Sequence, residues 1–193
     1  HTCVLDAVIS ILPNPVEAQS YRVPIIWDGS ENSKIFESMV NCDPNGPLVL
    51  CIQKVEREPY GLVATARIFS GMLDNKKDMY LVNEDKIEKI NQVAIFMDAH
   101  RDHADHIPAG NIAAIVGLKF VRSGETLIEK DFKEEAQRFK SVKYISEPVM
   151  TIAIEPLMLK DLNTLHEQLQ DFLVEDPNLE IEMSEDTGEC LLS

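Results

Sequence analysis

Apolar positions along the chain change their spacing repeatedly, and each change marks a different kind of element. Val4, Leu5, Val8, Ile9 and Leu12 recur at the spacing of one helix face, and Pro13 and Pro15 interrupt the pattern. This predicts a short amphipathic helix over residues 3–12. From Asn14 to Pro47 the chain is rich in Pro, Gly, Asn and Asp, with one helical turn at residues 35–40. That stretch reads as an extended connector. Residues 48–57 and 62–72 are apolar, β-rich runs separated by Glu58-Pro59-Tyr60-Gly61, where Pro second and Gly fourth specify a tight hairpin turn. Further strands are predicted at residues 79–82, 87–97, 112–118 and 126–129. Turns are signalled at Asp74-Asn75, Asn83-Glu84-Asp85, Pro108-Ala109-Gly110 and Ser123-Gly124. Short strands at such regular intervals imply a closed barrel or a sandwich, because closure removes exposed edges.

Residues 129–140 mix Lys130, Lys133, Arg138 and Lys140 with Glu129, Asp131, Glu134 and Glu135, and read as a solvated connector. Beyond it, residues 149–154 form a continuous apolar strand. Leu162, Leu165, Leu169, Phe172 and Leu173 make a stripe one helix face wide, starting near Asp161 and stopping at Asp176-Pro177. Leu179, Ile181 and Met183 then alternate with Glu180, Glu182 and Ser184, the pattern of a half-buried strand. A turn at Asp186-Thr187-Gly188 leads into residues 189–193. The order is β-α-β-β. A split βαβ, ferredoxin-like domain needs one more helix and one more strand. One helix covers only part of the sheet face carrying Met150, Ile152 and Ile154, so this unit is expected to be loosely ordered or to self-associate. The fold class expected is mainly β with α+β.

Length and charge narrow the classes. At 193 residues the chain has room for one or two domains. Its net charge of −15 argues against free-standing nucleic-acid binding through bulk electrostatics. The charge is uneven: residues 147–193 hold 12 acidic side chains against Lys160 alone. The nearly balanced β region is therefore the better candidate for touching RNA. The longest apolar stretches, such as Ile112 to Val116, are far shorter than the roughly 20 residues of a membrane helix. No membrane partner is expected. Cys3, Cys42, Cys51 and Cys190 include no Cys-x-x-Cys pair and resemble no disulfide framework, so they read as reduced, mostly packed thiols of a cytoplasmic protein. The first residue is His1, and the chain is read as a fragment or processed product.

Two constellations suggest chemistry. His100, His103 and His106, with Asp102 and Asp105 among them, have the residue types of a zinc or nickel site. On a strand His103 points away from the other two, and on a helix the third His rotates off the face, so a solvated hairpin is expected. Asn75-Lys76-Lys77-Asp78 matches the guanine-reading Asn-Lys-x-Asp pattern. No Gly-x4-Gly-Lys-Ser/Thr phosphate loop accompanies it, and it reads as a hairpin turn between Met72 and Met79. Gly-x-Ser-x-Gly, His-Glu-x-x-His and Gly-x-Gly-x-x-Gly motifs are absent from the sequence. No catalytic, cofactor-binding or metal-binding residue is nominated.

Particular words in the sequence go further. Leu12-Pro13-Asn14-Pro15, Glu17-Ala18-Gln19 and Asn41-Cys42-Asp43-Pro44-Asn45-Gly46-Pro47 resemble the exit from the GTPase domain of the elongation factor 2 family. Arg67-Ile68-Phe69-Ser70-Gly71 and Ile107-Pro108-Ala109-Gly110-Asn111-Ile112 resemble its second-domain signatures. Ser146-Glu147-Pro148-Val149, Glu175-Asp176-Pro177 and Thr187-Gly188-Glu189 resemble the start of its third domain. The short turns around Asn75 and Asn83 are more archaeal than eukaryotic in style.

The resemblance implies a translational GTPase that drives tRNA–mRNA translocation on the ribosome. It implies a division into residues 1–46 (last helix of the GTPase domain and connector), 47–140 (β-barrel) and 141–193 (truncated ferredoxin-like third domain). GTP and Mg would belong to a GTPase domain outside these residues, leaving the chain itself inert. It also implies a barrel facing small-subunit rRNA, with Arg67, Ser70, Gly71, Gly110 and Asn111 as candidate interdomain or rRNA-facing residues. From the residues alone, Gly71 and Gly110 suit turns or bulges needing free φ or close backbone approach. Arg67 suits a structural pairing, and Phe69 suits the core. A related GTPase of ribosome maturation or the spliceosome, and a free-standing β-barrel interaction module, are the rival readings.

Overall fold

Asn14 opens the first departure from the predicted pattern. In the computed structural model, which describes residues 2–59, 61–97, 100–140, 150–156, 158, 161–175, 179–183 and 190–192, the predicted connector contains a helix. The N-terminal helix α1 (Thr2–Ile11) is followed by α2 (Pro15–Ile26) and α3 (Lys34–Val40). Asn14 caps α2 by accepting the Glu17 N–H at 3.0 Å, and Pro15 occupies the first turn, where its missing N–H costs nothing. Pro13 follows the end of α1, and Pro15 starts α2. Ser33 caps α3 through the Phe36 N–H at 3.1 Å.

The β region contains strands β1 (Val49–Glu58), β2 (Gly61–Ser70), β3 (Met72–Asp74), β4 (Asp78–Leu81) and β5 (Lys86–Lys89). They are followed by β6 (Gln92–Met97), β7 (His100–His103), β8 (His106–Pro108), β9 (Ile112–Val116) and β10 (Thr126–Glu129). Glu58 pairs with Gly61, as a two-residue hairpin loop requires, although Tyr60 lies outside the described residues. The predicted single strand over 87–97 is two strands, broken at Ile90-Asn91. The short strands β3, β7 and β8 were not expected.

Among the described residues, eight strands make one antiparallel sheet in the order β5-β4-β10-β1-β2-β9-β6-β7. The ladder does not join β5 to β7, so closure is not made by backbone pairing. A separate ribbon of β3 and β8 adds the fully buried Leu73 and Ile107 to the core that Leu50, Met79, Leu81, Val93 and Ile115 share. The sheet is thus wrapped around one apolar interior.

Two predicted hairpins are corners instead. The Asn75 turn joins β3 to β4, which do not pair with each other. Its carboxamide accepts the Val93 N–H at 2.8 Å and donates to the Ala104 carbonyl at 3.1 Å, pinning the corner to β6. Likewise β7 pairs with β6 and β8 with β3, so the histidine segment passes from one sheet to the other.

The expected solvated connector over 129–140 is also folded back. Lys130–Glu135 forms a 3-10 helix, and Lys133 donates to Asp85 at 3.0 Å. Phe139 is buried against Trp27. A second core on the outer face of the barrel joins Val23, Trp27, Ile35, Met39, Val49, Phe69, Ile128 and Phe139, so the helices are docked on the sheet.

Downstream, β11 (Ile152–Ile154), α4 (Leu162–Glu175), β12 (Ile181–Met183) and β13 (Cys190–Leu192) reproduce the predicted β-α-β-β order. Their sheet is antiparallel in the order β11-β13-β12, with Cys190 fully buried on the middle strand. Leu169 is buried while Phe172 on the same stripe is 54% exposed. Residue 149 of the predicted strand, the Asp176-Pro177 stop and the turn at 186–188 lie outside the described residues.

Gly71 has φ of 79° and a Cβ there would stand 2.5 Å from the Leu48 Cα, whereas Gly124 has φ of 81° with open space around it. Gly124→Ala should cost about 1–2 kcal/mol from the left-handed backbone alone. Gly71→Ala adds a backbone clash and should cost clearly more. Urea unfolding of the two variants checks this, and equal losses would refute the close-approach argument.

Candidate interdomain surface

The five residues nominated from the sequence meet at one end of the barrel. The Ile68 N–H donates to the Asn111 carbonyl at 3.0 Å, and the Gly110 N–H returns to the Ile68 carbonyl at 2.9 Å. The Ala109 N–H donates to Gly71 at 3.0 Å, and the Gly71 N–H donates to Asp43 at 2.8 Å. The turn over 108–111, the end of β2 and the turn after α3 are thereby tied into one knot.

Within it the five residues do different things. Ser70 is fully buried and donates its hydroxyl to the Pro47 carbonyl at 2.6 Å, so it holds the chain's entry into β1. Gly110 has φ of 86°, and a Cβ there would come within 3.0 Å of both the Cys42 Sγ and Pro15. It lets α2 approach the barrel. Asn111 is exposed and donates its side-chain amide to Pro108 at 3.1 Å. The Arg67 guanidinium carbon stands 5.8 Å from the Phe69 ring centroid and acts electrostatically on Cys42. Phe69 itself is buried.

An open groove of about 540 Å³ runs along this knot, lined by Asn14, Pro15, Cys42, Pro44, Pro108 and Asn111 among others. Its walls are mainly apolar. Cys42, at its base, has φ of 52°, and burial pushes its thiol up against the opposing charge of Arg67. Such a thiol is a packing group rather than a nucleophile. All four cysteines are free, with Cys3 exposed and Cys42 and Cys190 buried.

The histidines diverge. His103 Nδ1 lies 2.5 Å from the Gln92 amide nitrogen, and His106 Nδ1 donates to Asp74 Oδ1 at 2.6 Å. That hydrogen bond, with the nearby carboxylates, raises the His106 pKa. Arg101 is paired with Glu58. Among the described residues no three His, Cys, Asp or Glu side chains stand close enough to hold a metal ion. The Asn75 motif does not fit a guanine either. Its carboxamide is committed to Val93 and Ala104, and Lys77 pairs with Glu129 at 3.0 Å.

Sequence reading missed three structural residues here. Gln19, 1% exposed, donates to the Met39 and Phe69 carbonyls at 2.5 and 2.8 Å. The Asn14-Pro15 cap and first turn of α2 is the signal that could have placed it on a helix. Trp27 was silent in the pattern. Glu125, 2% exposed, accepts the Asn83 N–H at 2.8 Å and the Thr126 N–H at 3.2 Å, bracing the β4–β5 turn against β10. Burial pushes its carboxyl up to about 6 against those two donors. Burial first, and the Glu125 charge second, push the Cys51 thiol up to about 11.

Comparison with known proteins places this geometry. Residues 49–130 match the family model described as Elongation factor G domain 2, and residues 145–193 match Elongation Factor G, domain III. Elongation factor 2 of Aeropyrum pernix is 48% identical over 193 residues, all of this chain and 26% of that relative. Elongation factor 2 of Metallosphaera sedula is 49% identical over 191 residues, 98% of this chain and 26% of its own length. That of Saccharolobus solfataricus is 47% identical over 191 residues. The chain spans about a quarter of the length of these curated relatives.

Glu125 yields a pH test. Its folded pKa of about 6 lies above its ordinary 4.5, so the fold holds the proton more tightly than the unfolded chain does. Stability from this group is full below pH 4.5 and is lost as pH rises through about 6, by about 2 kcal/mol at 1.36 kcal/mol per pH unit. Glu125→Gln keeps an acceptor for both amides and removes the charge. It should raise the melting temperature at pH 7.5 and leave it unchanged at pH 4.5. An equal shift at both pH values would show that ionisation of Glu125 is not the cause.

Proposed function

We propose a function from one premise: the chain belongs to the elongation factor 2 family, over the part of those relatives' length that it spans. It serves as the barrel and the third-domain β-α-β-β unit of a translational GTPase that promotes GTP-driven tRNA–mRNA translocation on the ribosome in the cytoplasm. The observation that carries this is identity near one half over the entire chain.

On this reading residues 1–46 link a GTPase domain to the barrel, 47–140 are the barrel, and 141–193 belong to the third domain. The helix α1 supports the first assignment: Ile9 is 81% exposed, and Val4, Leu5 and Leu12 are exposed beside it. So many exposed apolar side chains on one helix need a covering surface. Met150, Ile152 and Phe172 are exposed downstream in the same way, and self-association of the isolated chain follows from both faces. Asn111 and Arg67 lie at the rim of the knot, where small-subunit rRNA is the proposed partner. Ser70 acts there through its hydroxyl bond to the Pro47 carbonyl, and Gly71 and Gly110 through the backbone geometry they permit. GTP and Mg are assigned to the GTPase domain of the whole factor, since Asn75 and Lys77 are engaged within the barrel.

Two measurements test this. Fluorescent GTP analogues titrated into the chain should show no saturable binding up to millimolar nucleotide, and micromolar binding would refute the assignment. The second is a chimera in which this chain replaces the matching quarter of an archaeal elongation factor 2. It should keep ribosome-dependent translocation within tenfold of the parent. Retained GTP hydrolysis with translocation lost would refute the proposed role.

A further inference from the structure

Residues 136–140 leave the 3-10 helix, cross the outer face of the barrel and end against α2. Their anchors are few and concentrated. The Phe139 N–H donates to the buried Thr126 Oγ1 at 3.0 Å. The Lys140 N–H donates to the Ile26 carbonyl at 2.7 Å and its ammonium to the Ile25 carbonyl at 3.0 Å. The Asp28 N–H donates to Arg138 at 3.3 Å, so Trp27 and Phe139 face each other as an isolated antiparallel bridge. The Phe139 ring is the plug. It stands 5.2 Å from the Trp27 ring, edge to face, and 4.6 Å from the Phe69 ring.

We propose that residues 136–140 are a releasable strap, closed in this structure, that opens by withdrawal of Phe139 while the barrel stays folded. Three observations carry it. The preceding 3-10 helix buries no residue: its contacts are the partly buried Phe132 against the outer core, Lys133 over the Tyr80 ring and the exposed Lys133–Asp85 pair, and an exposed pair is worth little in water. The plug belongs to the outer core, which shares no residue with the barrel interior, so its withdrawal leaves the interior dry. The indole Nε1 of Trp27 is buried beside it with no acceptor among the described residues. A buried indole N–H normally finds a partner, and water would supply one when the strap opens, which offsets part of the loss of packing.

Trp27 is the only tryptophan in the chain, so its fluorescence reports the strap directly. Amide exchange on the full chain should show the Phe139 and Lys140 amides exchanging at least a hundredfold faster than the Ile52 and Ile68 amides of the barrel. Low urea should leave the faster rates unchanged. Phe139→Ala should abolish protection at Asp28 and Lys140, shift Trp27 emission to the red and raise its quenching by acrylamide, leaving Ile52 and Ile68 as protected as before. Should Phe139→Ala fail to fold, Phe139→Leu is read in the same way. Equal exchange rates at all four amides would overturn the proposal, as would loss of barrel protection in parallel with the strap in the variant that folds.

Discussion

One buried amide holds the molecule's first half in register. Gln19 projects from α2 and spends both hydrogens of its Nε2 on carbonyls of separate elements, Met39 at the end of α3 and Phe69 in β2. Its own Oε1 finds no donor among the described residues, so these two bonds and the apolar contacts around them outweigh an unsatisfied oxygen. Once α2 is placed, Trp27 at its end faces Phe139, Phe69 is covered, and Pro15 comes against Gly110. Docking of helices on barrel, the knot at 108–111 and the strap at 136–140 all follow from that one placement.

The barrel solves its own closure without a complete ladder. Among the described residues its edge strands, β5 and β7, do not pair with each other, and the strands between them share one interior. Asn75 does at the corner what a strand pair does elsewhere, satisfying a donor on β6 and an acceptor at Ala104. Glu125 does the same for the β4–β5 turn. It keeps the Asn83 and Thr126 amides satisfied in a place where its own charge is disfavoured. Polar side chains that look surface-like in a sequence are therefore the mortar of this fold.

The same lesson separates motif from chemistry. Three histidines within seven residues and an Asn-Lys-x-Asp word are strong patterns on paper, yet four of these side chains are engaged within the barrel itself. His106 is bonded to Asp74, His103 lies against Gln92, and Asn75 is committed within the barrel. Proximity along a chain says little about convergence when the segment turns from one sheet to another.

Local periodicity was enough to read the strands over 49–58, 61–70, 112–116 and 126–129, the helix over 162–175 and the β-α-β-β order, because each carries its own burial pattern. The resemblance of short words such as Ile107 to Ile112 located the knot for a similar reason: turn residues needing positive φ are written locally. Other features have no local signature. α2 was hidden because the prolines at 13 and 15 read as breakers although Pro15 begins a helix, and its burial depends on Gln19 reaching residues twenty and fifty positions away. The contact between Trp27 and Phe139, the burial of Glu125 and the corners at Asn75 and His103 arise only when distant segments pack. A buried contact is a property of two places in the chain, and spacing along one of them does not contain the other.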